Sequence, residues 1–324
     1  MDLIRKQFRA AKKILITTHV GPDADGVGCA IALQELLIDM GISVSCIEIL
    51  LHDEIPENIR FLDKRMSVKK VVNSDFEKFF DTVVILDVGT LDRIGNIAKF
   101  VTPKTTLIHF DHHISREKLT HFAMITEDAS STAEVLYNWI RLCKLSVNQI
   151  ACEALYAALI HDTGNFLYNN VTVETLQFAQ FLKNLHFDAE NISRRVLYNK
   201  SFATLKLLGI ALSRLKLSSD GLASTYLMLK DIEEVKAHYN DTDPIIEVLN
   251  NLENAKIILF LKEKEPNVFK ASIRTKEYDV ESISRDFGGG GHIKAAGFTT
   301  SKPIYEVVSI VSEKFKEQLR GKRV

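Results

Sequence analysis

A chain of 324 residues suggests two domains of about 150 residues each. Hydrophobic residues make up 46% and charged residues 26%, the balance of an ordinary soluble globular protein with ample core. Lys plus Arg total 41 and Asp plus Glu 42, a net charge of −1, which lacks the basic surplus of a protein that grips long nucleic acid; a nucleic-acid substrate would be short.

No apolar run reaches about 18 residues, so no membrane span is expected. The opening "MDLIRKQFRAAKK" carries charge but no apolar h-region; it reads as a short amphipathic helix rather than a secretory signal. Cys29, Cys46, Cys143 and Cys152 lack any C-x-x-C spacing, so neither a disulfide framework nor a zinc cluster is indicated, and a reducing cytoplasm is expected.

"ILITTH" (Ile14–His19) is strand-like, and "DGVGCAIALQELLIDMG" follows with helical spacing and a glycine stop. "SVSCIEI", "VVILD" (Val83–Asp87) and "TLIHFD" are further β-branched, apolar runs, while 131–143, 148–160 and 173–185 read as helices. Strands alternating with helices predict an α/β fold, with a mainly parallel sheet flanked by helices over residues 1–190. Residues 191–216 read as a helical connector. From 217 to 324, "LASTYLML", "AKIILFLK" and "VFKASIR" alternate with short helices at 231–238 and 244–250, predicting a smaller second α/β domain. The one glycine-dense stretch, "FGGGGH" (Phe287–His292), fits either a flexible linker or a backbone built for close approach. It lies between "DVESISRDF" and "AAGFTT", inside a domain, and it is not a P-loop.

Several apolar runs end in acids or histidines. The first leads into "THVGPDADGVG", where His19 closes the strand and Asp23 and Asp25 follow; Asp25 stands where a helix N-cap belongs. A calcium loop fails there, since the twelfth position counted from Asp23 is Gln34 rather than Glu. "VVILDVG" ends on Asp87, "LIHFDHHIS" on Asp111-His112-His113, and "AALIHDTGNF" on His161-Asp162. Each is unremarkable alone. In an open parallel sheet, however, strand carboxyl ends share the edge where ligands bind. If they converge, His19, Asp23, Asp25, Asp87, His112 and Asp162 offer carboxylate oxygens and imidazoles, a mixture that suits Mn²⁺ or Mg²⁺, with the imidazoles favouring Mn²⁺. That many acids call for two cations, and two ions about 3.5–4 Å apart suit hydrolysis of a phosphate ester.

These stretches resemble the DHH phosphoesterase family. H-x-x-P-D-x-D-x-x-G is matched by His19, Pro22, Asp23, Asp25 and Gly28, the D-H-H signature by Asp111-His112-His113, and Asp87 and Asp162 fall at the two isolated acidic positions. "SIR" and "DVESISRDFGGGGHIKAAGF" are similar to the DHH-associated domain with its G-G-G-H motif. The resemblance is to the compact stand-alone members, nano-RNases that also dephosphorylate pAp. It implies two Mn²⁺ ions (Mg²⁺ or Co²⁺ as alternatives), His19 and Asp23 on one, Asp25, His112 and Asp162 on the other, and Asp87 bridging both. It also implies Asp111 orienting a ligand, His113 reaching the scissile phosphate, and Arg274, Gly289, Gly290, Gly291 and His292 gripping substrate across an interdomain cleft. Short oligoribonucleotides or pAp would be the substrates, with no membrane partner and oligomeric state left open. Signalling dinucleotides such as pApA or cyclic di-AMP are the alternative, and a non-catalytic nucleotide-binding protein ranks below both. Two departures stand out: Cys29 replaces the usual hydroxyl residue, and Leu167 stands where many relatives carry Arg. "SSTAEVLY" (Ser130–Tyr137) matches the family and reads as helix capping with a place beside the metals.

Overall fold

The computed structural model describes residues 2–113, 119–120 and 122–321, so Ile114 and Ser115, and the last three residues of the basic tail, lie outside the described residues. It divides into two compact units, Met1–Asn199 and Lys200–Val324.

In the first unit, strands β1 (Ile14–Thr17), β2 (Ile47–Leu51), β3 (Val68–Lys70), β4 (Thr82–Leu86), β5 (Thr106–Asp111) and β6 (Phe122–Ile125) form one parallel sheet in the order β3-β2-β1-β4-β5-β6. Every residue of β1 and β4 is buried, which is why those stretches read as unbroken apolar runs rather than alternating ones. One face packs against helices α1 (Asp2–Ala10), α2 (Ala24–Asp39), α3 (Thr132–Cys143), α4 (Gln149–Asp162), α5 (Val173–Lys183) and α6 (Ala189–Ser193). The other face buries Leu15, Val83 and Ile85 against Ile94, Ile97 and Phe100 from 3₁₀ turns. The order reverses direction between β1 and β4, and at such a reversal the loops leaving two neighbouring strands part and open a crevice above their carboxyl ends. His19, Asp23 and Asp87 follow those two strands.

Helix α2 is buried continuously from Ala24 to Leu37. It meets α4 backbone to backbone at Gly28, where a Cβ would stand 2.5 Å from the Ala154 carbonyl oxygen. Only glycine admits that approach, and the contact brings the end of α4 within reach of the start of α2.

The second unit carries α7 (Phe202–Ser213), α8 (Leu229–Glu234), α9 (Asp243–Leu249), α10 (Val280–Arg285) and α11 (Ile304–Gly321) around a mixed sheet. Its strands are β7 (Lys216–Leu217), β8 (Leu222–Leu227), β9 (Ile257–Glu265), β10 (Val268–Thr275), β11 (Gly290–His292) and β12 (Ala295–Thr300), ordered β11-β12-β10-β9-β8-β7. Only β8 and β9 run parallel. One face packs on α10 and α11, the other on α7 and α9.

Three local expectations change. The stretch 191–216 is not one helical connector: α6 passes through a π turn at Arg194–Tyr198, and α7 restarts after Ser201, whose hydroxyl accepts from the Thr204 amide. A hydroxyl N-cap beats helix continuation there, and the boundary between the units falls at this break. "SVSCIEI" opens with a 3₁₀ turn before β2 begins at Ile47. The glycine run is neither a linker nor wholly a loop, for Gly290–His292 forms an edge strand paired with β12.

Candidate metal centre

Asp23, rather than Asp25, caps α2: its Oδ1 accepts from the backbone N–H groups of Asp25 and Gly26 at 3.0 and 3.1 Å. That leaves Oδ2 free to face His19 Nε2 at 3.6 Å. Asp25, one step inside the helix, is fully buried and receives the Thr132 and Ala133 amides at 2.7 and 3.1 Å. The first turn of α3 thus holds an acid from α2 through amides its own helix cannot satisfy. Asp87 lies just past β4 in a left-handed conformation (φ +59°), where an L residue is strained and a turn out of the sheet is sharp. Thr132 Oγ1 donates to Asp87 Oδ1 at 3.1 Å, so one residue, through its amide and its hydroxyl, orders two buried carboxylates. The "SSTAE" stretch is both cap and scaffold: Ser131 caps α3, and buried Glu134 accepts from Ser130 Oγ at 2.6 Å and Thr175 Oγ1 at 2.9 Å.

Among the described residues four overlapping three-residue groups result, Asp87–His112–His113 and Asp23–His161–Asp162 among them, and the other two together hold the six expected ligands. The donor atoms of His19, Asp23 and Asp87 lie within 4.8 Å of one another, and so do those of Asp25, His112 and Asp162. Asp87 faces both, with Oδ2 3.4 Å from His19 Nε2 and Oδ1 3.6 Å from His112 Nε2. Asp162 closes the second group at 3.3 Å from His112 Nε2. It sits at the end of helix α4, not at a strand end. All six residues expected to converge do so.

The charge balance is lopsided. Among the described residues the four acids Asp23, Asp25, Asp87 and Asp162 pair only with histidines, never with Lys or Arg. Burial opposes charge on His19, yet the carboxylates of Asp23 and Asp87 outweigh it and lift the imidazole to about 10. Burial likewise opposes charge on His112, and Asp162 with Asp87 lifts it to about 11. Burial would raise Asp87, but His112 and His19 bring it down to about 2. Asp25 is pushed up by burial and by its acidic neighbours Asp162 and Asp87, and Asp162 rises for the same reasons despite His112. Protons on imidazole thus occupy the electrostatic role that cations would fill. Carboxylate oxygens and imidazole nitrogens in two groups around a shared acid fit a pair of divalent ions.

Beside this cluster, His113 faces two acids through Nδ1, with Asp87 Oδ1 at 3.6 Å. Its Nδ1–H donates to Asp111 Oδ1 at 2.8 Å, and that oxygen also accepts from the His112 amide at 2.9 Å. Asp111 is fully buried, while half of the His113 side chain is exposed. The Asp111 hydrogen bond raises the His113 pKa above that of a free imidazole, against a smaller opposing cost of burial. The two adjacent rings can lie side by side, centroids 4.7 Å apart, because Asp111 ends β5 and the chain leaves the sheet there.

Sequence reasoning gave no role to His161 or Asn170, and named Thr132 and Glu134 only within the Ser130–Tyr137 stretch. His161 Nε2 lies 3.5 Å from Asp23 Oδ2, and Asn170 Nδ2 donates to the Ser130 and Asp162 carbonyls, each at 3.0 Å, tying α4's end to α3's start. Thr132 and Glu134 had a signal in the S-S-T-A-E spelling; Asn170 had none. Cys29, set aside as a packing position, is buried and its Sγ–H donates to Asp25 Oδ1 at 3.5 Å. Leu167 is 79% exposed.

In the second unit, Arg274 on β10 and His292 on β11 both stand opposite Ala295 of β12, so their side chains share one face across a small residue. Arg274 pairs with the exposed Glu247 at 3.3 Å. Gly289 and Gly291 are demanded by packing, since a Cβ would come within 2.3 Å of the Gly297 carbonyl or 2.6 Å of Ala295's; Gly290 has open space.

Residues 13–160 match the DHH family N-terminal domain and residues 221–320 match the DHHA1 domain. The bifunctional oligoribonuclease and PAP phosphatase NrnA of Bacillus subtilis is 25% identical over 88% of this chain and 88% of its own. The protein of the same name from Thermus thermophilus is 26% identical over 92% of this chain and 88% of its own. The fold matches an exopolyphosphatase-related protein from Bacteroides fragilis with a TM-score of 0.88 at 22% identity, over 98% of this chain and 95% of that one. No helix among the described residues is long and apolar enough to cross a membrane. With both matches in order and the acid and histidine motifs gathered at one sheet edge, the chain carries a DHH family N-terminal domain followed by a DHHA1 domain.

Proposed function

We propose that this protein is a divalent-metal-dependent phosphoesterase that hydrolyses short oligoribonucleotides to mononucleotides and removes the 3′-phosphate of PAP. One observation carries the reading: Asp87 presents one oxygen to each of two three-donor groups. His19 and Asp23 would hold one ion, Asp25, His112 and Asp162 the other, and Asp87 both, with Mn²⁺ the best match to the imidazole content. When bound, such ions polarise a phosphoryl oxygen and make a water nucleophilic near neutral pH.

The chain's own residues supply the rest. Asp111 fixes the His113 ring through Nδ1, leaving Nε2 to donate to a phosphate oxygen as negative charge builds there. The Asp111 hydrogen bond raises the His113 pKa, which favours the charged form of that donor. Thr132 and the α3 amides hold Asp87 and Asp25 in place without the acids having to reorganise. Arg274 and His292 would bind a terminal phosphate, Arg274 exchanging the weak surface pair with Glu247 for a charge-assisted fork. Edge strand Gly290–His292 would let a phosphate approach backbone closely. The names of the curated relatives support these substrates.

Initial rates with Mn²⁺ on a labelled diribonucleotide, PAP, cyclic di-AMP and pyrophosphate, beside Asp87→Ala, test the reading. Turnover of the first two, reduced by more than about 100-fold in the variant, is expected. Preference for cyclic di-AMP or pyrophosphate would leave the metal chemistry standing and overturn the substrate assignment.

A further inference from the structure

Histidine 161 belongs to no motif the two-ion reading uses, yet it faces the centre. It lies in the last turn of α4, and its donor atom lies within 4.8 Å of donors from Asp23 and Asp162, one acid from each ion group. Asp23 Oδ1 is committed to capping α2, so Oδ2 is its available oxygen, and two imidazole nitrogens face it: His19 Nε2 at 3.6 Å and His161 Nε2 at 3.5 Å. The His161 side chain is 37% exposed, against 12% for His19, so it approaches from the solvent side. A histidine at a helix end is often only a counter-charge to the helix dipole. That role would not require its Nε2 to meet an acid from another helix. The helix end is also fixed in place, by Gly28 against Ala154 and by Asn170 on the Asp162 carbonyl.

We propose that His161 is a further ligand for the divalent ion held at Asp23, a third imidazole donor that biases the centre toward Mn²⁺ or Co²⁺ over Mg²⁺. The proposal rests on the two-ion reading. Nitrogen donors strengthen binding along the first transition row, whereas Mg²⁺ keeps oxygen ligands and its own waters. A chain with three histidines at the centre should therefore discriminate between these ions more sharply than one with two.

Calorimetric titration of the metal-stripped full-length chain with Mn²⁺ and separately with Mg²⁺ tests this, using His161→Ala, His161→Gln and Asp87→Ala. Removing the imidazole should weaken Mn²⁺ binding by about tenfold or more, change Mg²⁺ binding by less than about threefold, and leave the stoichiometry intact. His161→Gln keeps bulk and polarity at the helix end, so it carries the test if the alanine variant fails to fold. Unchanged Mn²⁺ affinity, equal losses for both ions, or loss of one whole equivalent would each overturn the proposal. If the unaltered chain binds no Mn²⁺, or Asp87→Ala binds it as well as the unaltered chain does, the two-ion reading itself falls.

Discussion

At the carboxyl edge of the first sheet, every candidate donor touches another, and Asp25 and Asp87 are almost sealed from solvent. At the glycine-rich edge of the second sheet, Gly290–His292 is exposed throughout, and Arg274 leans on a single surface acid. The first edge is held by contributions from α2, α3, α4, β4 and β5, and the Thr132 and Ala133 donors order its two most buried acids. The second offers a charged fork on a surface ion pair and an exposed edge strand that β12 holds from one side. A centre for bond cleavage gains from fixed acids, while a grip for varied chain ends gains from freedom.

That contrast breaks if Arg274 proves to be part of the chemistry. Arg274→Ala should raise KM for PAP about 10–100-fold, the range of a charge-assisted phosphate contact, with kcat little altered in steady-state kinetics. A fall in kcat at constant KM would place the residue in bond cleavage instead. Thr132→Val sharpens the other side. It removes the hydroxyl donated to Asp87 while keeping the amide on Asp25, and should weaken Mn²⁺ binding about tenfold by calorimetry. Full affinity in the valine variant would mean that Asp87 needs no such support.

Stability should divide along the same line. Gly289→Ala forces a Cβ against backbone and should destabilise by about 1–3 kcal/mol in denaturant melts, whereas Gly290→Ala should stay within about 0.5 kcal/mol. Equal tolerance at both would mean that β11 is not packed as described. A separate effect concerns protons. His19 and His112 have folded-state values of about 10 and about 11, above the unfolded imidazole. Their contribution is complete below about pH 6.5 and is lost as pH rises through the folded values. The metal-stripped protein should therefore melt at progressively lower temperature from pH 7 to 10, and Mn²⁺ should reverse the trend. Melting temperatures flat across that window would remove the electrostatic account of the cluster.

Much of the centre was legible in the sequence because its ligands end buried runs, and a doubly wound parallel sheet gathers such ends at one edge. His19, Asp23, Asp25, Asp87 and His112 were readable in that way, and Asp162 as the end of a buried apolar run that proves to be helix α4. The cap on α2 was misplaced by two residues, since Asp23 and Asp25 are both acceptable caps and only the fold tells which one α3 claims. His161 was passed over because its neighbour Asp162 already explained the motif, and no periodicity tells which face of a helix's last turn meets another element. Asn170 sits in "LYNN", a stretch with no pattern at all. In the second unit the glycines announced close approach, but they could not say that two positions are fixed by β12 and one is open. The break at Asn199 was hidden because the apolar spacing continues across it.

The meeting of Gly28 with the Ala154 carbonyl has a consequence on the timescale of minutes to hours. Two helices joined backbone to backbone separate only when a large part of the unit opens with them. Amides in the middle of α2 and α4 should then be among the slowest in the chain to exchange with deuterium, and those of Gly290–His292 among the fastest. The most persistent element of the molecule would be the strut beneath its acids, so the spacing between the two donor groups would be kept by the slowest clock in the protein.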